Sequence, residues 1–205
     1  MRMYGLSCNK AQRNCFINSL IKIFKVLDFM EIKKINTPLT KEILSTLKAG
    51  DMISLTGNIY TARDAAHKRL IEMINNGEKL PLDLENKTIF YAGPSPNKPN
   101  EVIGSVGPTT SYRMDAYTPK LTELGVLSTI GKGARSKEVI DSIKKYGGVY
   151  FCAIGGAAAY MAHCVKKCKV IAFEDLGTEA IRELYVEDMM LIVAIDSKGD
   201  SALKV

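Results

Sequence analysis

The chain has 205 residues, of which 46% are hydrophobic, enough to bury the core of one compact domain. Its 28 Lys and Arg against 22 Asp and Glu leave a formal charge of +6, which suits an anionic partner. The basic residues come as scattered pairs (Lys33-Lys34, Lys144-Lys145, Lys166-Lys167) with no basic stripe interleaved with aromatics, which argues against nucleic-acid binding.

Residues 1–29 read as an amphipathic extension. "FINSLIKIFKVLDFM" has apolar residues at helical intervals, but Lys22, Lys25 and Asp28 interrupt them, so it is neither a membrane span nor a signal-peptide core. From Met30 the pattern predicts one compact α/β domain, 30–205, without repeats or flexible linkers. Strands are predicted over 52–60, 87–93, 125–131, 148–154, 169–175 and 190–196, and helices over 62–77, 114–125, 136–148 and 156–167. The early strand-rich part and the later alternating part allow separate sheet layers.

The five cysteines form no CxxC pair, so neither a disulfide framework nor a zinc ribbon is indicated; a reducing cytoplasm fits, and this chain is expected to bind no metal by itself. The chemistry concentrates where strands run into helices, because the first backbone N–H groups of a helix favour anions. "YTARDAAHKR" offers Arg63 and Asp64, with His67 four residues after Arg63 on the same helix face. "GPTTSYRMD" offers Thr109 and Arg113 amid a run of hydroxyls, "IGKGAR" offers Lys132, and Gly155-Gly156 offers either a bare backbone to a ligand or close helix–strand packing. Arg63, Arg113 and Lys132 together suit a small dicarboxylate, two forks and a point charge. The GKG triplet lacks the spacing of a phosphate-binding loop. Lys198 and Asp200, beside Asp196, read first as a turn and secondarily as supporting positions for the site, as do His67 and Asp64.

Taken in order, "YTARDAAHKR", "GPTTSYRMDAYTPKLTELGV", "IGKG", "VYFCAIGGAAAYMA" and "FEDLGTEAIRELYVEDMMLIVAIDSKGD" resemble the beta subunit, or C-terminal domain, of the iron–sulfur class I hydro-lyases, class I fumarate hydratase and L(+)-tartrate dehydratase. The resemblance covers residues 30–205 and leaves 1–29 outside. It implies a swivelling β/β/α domain facing a partner alpha subunit that holds a [4Fe-4S] cluster, in a hetero-oligomer. It also implies that Thr109 matches the threonine proposed as catalytic base, and that Arg63, Arg113 and Lys132 match the cations that hold the substrate carboxylates. The expected activity is the hydration of fumarate to (S)-malate, a reaction of the tricarboxylic acid cycle, by the paired subunits. Tartrate dehydration and a non-catalytic small-anion module are the alternatives.

Overall fold

The computed structural model describes residues 31–99, 101–153 and 158–203. The amphipathic segment 1–29 and the Gly155-Gly156 pair lie outside the described residues. From Ile32 onward the chain forms one compact α/β unit.

Seven strands form one sheet rather than separate layers: β1 (Ile32–Asn36), β2 (Met52–Thr61), β3 (Thr88–Phe90), β4 (Ser128–Gly131), β5 (Val149–Ala153), β6 (Val165–Ala172) and β7 (Ile181–Ile195). β1, β2, β3, β4 and β5 follow one another in parallel, and β7 runs antiparallel to β5 and β6. β7 also pairs with β2, from Met52↔Ile192 to Thr61↔Arg182, so β2, β3, β4, β5 and β7 close into a small barrel. Its ladder shifts register at Leu55/Gly57, and Gly57 sits at φ 121, where a Cβ would overlap Thr37 Oγ1.

Strand burial explains the order. Buried apolar residues from β2 (Ile53, Leu55, Ile59), β5 (Phe151) and β7 (Leu184, Leu191, Val193) meet in one core, and β4 adds Ile130. The helices are α1 (Lys41–Ser45), α2 (Asp64–Asn75), α3 (Thr118–Glu123), α4 (Lys137–Tyr146) and α5 (Ala158–Cys164). α2 lays Ala66 and Leu70 into a second apolar cluster with Ile89, Tyr91 and Leu121. α4 begins at Ser136, whose hydroxyl accepts from Val139 N, and stops at Gly147 in the left-handed region (φ 76).

Some expected elements move. The helical pattern of 156–167 stops at Cys164, because Val165 turns inward and β6 starts there without a linker. The last strand begins nine residues before position 190, at Ile181. Among the described residues no helix is long and apolar enough to cross a membrane.

Candidate active-site face

Because β2, β3, β4 and β5 are parallel, their carboxyl ends share one side of the barrel, the side on which open parallel sheets usually bind ligands. Arg63 follows β2 there, and Lys132 follows β4. Thr109 is held just past β3: its N–H donates to Tyr91 O at 2.7 Å, and Pro108 bridges to Ala92. Thr110 bridges in turn to Lys132, and the turn Ser111–Met114 places Arg113 beside the start of α2.

Asp64 binds the two arginines together. Its Oδ2 lies 2.9 Å from Nη2 of Arg113 and 3.8 Å from Nε of Arg63; the short contact is an ion pair at an angle too poor for a directed hydrogen bond. Glu179, just before β7, was not legible as a site residue. Its Oε2 accepts from Ala65 N at 2.9 Å and its Oε1 stands 3.5 Å from Arg63 Nη2. Arg63 is 24% exposed and its Nε has no hydrogen-bond partner among the described residues, whereas Arg113 is 43% exposed. Lys132 is exposed and joins no ion pair among the described residues.

The hydroxyl run divides its labour. Ser111 is buried and structural: its Oγ accepts from Lys132 N at 3.0 Å and from the Tyr150 hydroxyl at 2.9 Å, while its own N–H donates to Lys132 O. Gly131 is required beneath it, since a Cβ there would overlap Ser111 Oγ. Tyr112 is 65% exposed. Thr109 and Thr110 are half-buried, with no hydrogen bond from either hydroxyl among the described residues.

Behind this face sits a charged pair that the sequence did not reveal. Arg135 is buried, donating to Asp115 Oδ1 at 2.7 Å and to Thr118 Oγ1 at 2.8 Å, with its guanidinium over the rings of Tyr91 and Tyr150. Asp115 Oδ2 accepts from Ser136 N at the start of α4. His67 is fully buried against Tyr91 and Tyr117; Nδ1 donates to Arg63 O at 2.9 Å, and Nε2 has no partner among the described residues. Burial pushes its pKa down to about 4, so the ring is neutral near pH 7.

Lys198 and Asp200 are not brought to this face. They follow β7, whose end lies beside the start of β2, so roughly 30 Å of strand separates them from Arg63. Asp196 organises their turn, accepting from Lys198 N, Asp200 N and Ala49 N. A concavity of about 360 Å³ opens elsewhere, but Asp83, Glu85 and Glu123 line it and would repel a dicarboxylate. Among the described residues no three His, Cys, Asp or Glu side chains are arranged to hold a metal ion, and burial pushes the thiols of Cys152, Cys164 and Cys168 up, away from the thiolate form that ligation needs. These residues do not fit a cluster site.

Residues 15–205 match the family described as fumarase C-terminus, a match that starts upstream of Met30. A protein of Methanocaldococcus jannaschii, provisionally named L(+)-tartrate dehydratase subunit beta, is 46% identical over 169 residues, 80% of this chain and 87% of its own length. Fumarate hydratase 2 of Leishmania major is 40% identical over 162 residues, 78% of this chain and 28% of its own. The aerobic class I fumarate hydratase of Escherichia coli K12 is 40% identical over 171 residues, 81% of this chain and 31% of its own. The chain thus spans about a third of the length of those two fumarate hydratases.

Proposed function

The chain belongs to the fumarase C-terminus family, and from that premise we propose that it is the beta subunit of a two-subunit class I hydro-lyase that interconverts fumarate and (S)-malate. The observation that carries the reading is the convergence of Arg63, Thr109, Arg113 and Lys132 on one carboxyl edge, with Asp64 joining the two arginines. In this reading the described unit is the swivelling β/β/α domain, and the [4Fe-4S] cluster belongs to the alpha subunit. The M. jannaschii relative, named a subunit beta and matched over 87% of its own length, supports a partner subunit here.

This chain's own part is binding and proton handling. Dehydrating malate removes a proton from C3, which becomes more acidic when the charge growing on the adjacent carboxylate is stabilised. The Arg63 and Arg113 forks grip carboxylates in two-point fashion and Lys132 adds a compact positive charge. The Thr109 hydroxyl exchanges the C3 proton. A threonine is a weak base alone, so the surrounding cations are what make its alkoxide accessible.

A second reading, L(+)-tartrate as substrate, is favoured by the higher identity and nearly whole-length match to the M. jannaschii protein. Anaerobic coexpression with the alpha subunit, assayed with fumarate, (S)-malate and L(+)-tartrate, tests both. Turnover of fumarate supports the first reading and turnover of tartrate alone the second. Dicarboxylate binding by this chain with no turnover by the complex would leave an anion-binding module.

A further inference from the structure

Glu179 lies 116 residues from Arg63 in the chain, yet it touches both that side chain and the helix that Arg63 begins. α2 has no cap of its own, since Arg63 occupies the capping position and makes no side-chain capping bond. Glu179 Oε2 supplies the cap through Ala65 N. Capping alone employs one oxygen. The other faces Arg63 Nη2 at 3.5 Å, and the far flank of the guanidinium is closed by Gly93, where a Cβ would come within 2.9 Å of both Arg63 Nη1 and Thr178 O.

We propose that Glu179 is the positioning residue for Arg63: its carboxylate ties the Arg63 fork to the start of α2 and so sets where that fork points on the carboxyl edge. The proposal rests on the reading of Arg63 as a substrate-carboxylate ligand. The segment that carries Glu179 is pinned without it. Asp175 takes both Nη atoms of Arg69 at 2.8 Å, and Arg182 Nη2 donates to Gly177 O at 2.8 Å. Neutralising Glu179 therefore loosens the fork while the segment stays in place, and glutamine keeps an oxygen for Ala65 N. The Nε of Arg63, which has no hydrogen-bond partner among the described residues, gives a direct probe of how tightly the fork is held.

The test compares the full chain with Glu179→Gln and Glu179→Asp, following the Arg63 Nε–H signal by ¹⁵N NMR without any ligand. Glu179→Gln is expected to speed exchange of that proton on the order of tenfold with an unchanged thermal midpoint, and Glu179→Asp to fall between. Wild-type exchange in Glu179→Gln would overturn the proposal whatever the enzyme turns over. In the complex with the alpha subunit, Glu179→Gln should raise KM for fumarate about tenfold with a smaller change in kcat, and the rise should vanish in an Arg63→Ala background. A rise that persists in that background would reduce Glu179 to a helix cap. A wild-type complex inert toward every dicarboxylate would remove the hydro-lyase reading and leave the NMR result standing.

Discussion

Nη2 of Arg113 stands 2.9 Å from Oδ2 of Asp64, and that same oxygen lies 3.8 Å from Nε of Arg63, so one carboxylate is the shared counter-ion of two guanidinium groups. With Arg113 43% and Asp64 30% exposed, the pair adds at most about 1 kcal/mol to the fold. Its larger effect is on orientation. Asp64→Asn is expected to leave the urea midpoint nearly unchanged while KM for the dicarboxylate rises roughly tenfold, because the forks then repel each other unaligned. Loss of cooperative unfolding would place Asp64 in the framework instead.

Thr109 and Thr110 are neighbours with different prospects. In the reconstituted enzyme Thr109→Ala should lower kcat by about 10²–10⁴-fold, the usual contribution of a positioned proton-transfer group. Thr110→Ala should do little, and Arg113→Lys should raise KM, since the charge survives but the fork does not. Equal, small effects at both threonines would reduce the hydroxyl run to a turn.

His67 makes stability depend on pH. Burial holds its folded pKa at about 4, against 6.5 for the free side chain, so between those values the unfolded chain binds more protons. Stability is then fully present above about pH 6.5 and declines as the pH falls toward about 4, by roughly 3 kcal/mol. Urea midpoints at pH 7, 5.5 and 4.5 should show the decline, and His67→Gln should flatten it.

Gly131→Ala should destabilise strongly. The new methyl meets Ser111 Oγ, which cannot withdraw because the Tyr150 hydroxyl and Lys132 N hold it. A loss of about 1–3 kcal/mol is expected from such overpacking, read as a lower thermal midpoint. Ser111→Gly in the same chain should recover part of it.

Asp115→Asn leaves Arg135 buried without its counter-charge, a change that typically costs about 3–5 kcal/mol. Chemical denaturation of this chain alone should report it.

The carboxyl-edge residues were legible because each stands at a junction where an apolar run gives way to a helical pattern. Arg63 after "GNIY" and Lys132 after "STI" needed only chain order. Glu179 was not, since its roles depend on contacts with Ala65 and Arg63 that only the folded chain makes. Arg135 and Asp115 were not singled out, because pairing and burial are tertiary facts. The first half of β7 escaped because "IRELYVED" mixes charges into its alternation; the strand is fixed by two ladders, to β2 and β6, rather than by its own composition. β1, with exposed Ile32 and Lys34, carries too little apolar signal to read as a strand before β2 lies beside it.

The pairing of β2 with β7 also sets a timetable. Met52 waits for Ile192, and Thr61 for Arg182, so during synthesis the ring cannot shut until the chain through Ile192 has been made. Until then β2 has parallel neighbours but an open flank, the kind of edge that invites pairing with another nascent chain. Contacts this distant in sequence slow folding. Arg182 and Glu179 emerge within a few residues of each other, so barrel closure and the seating of Arg63 belong to the same late moment of biogenesis.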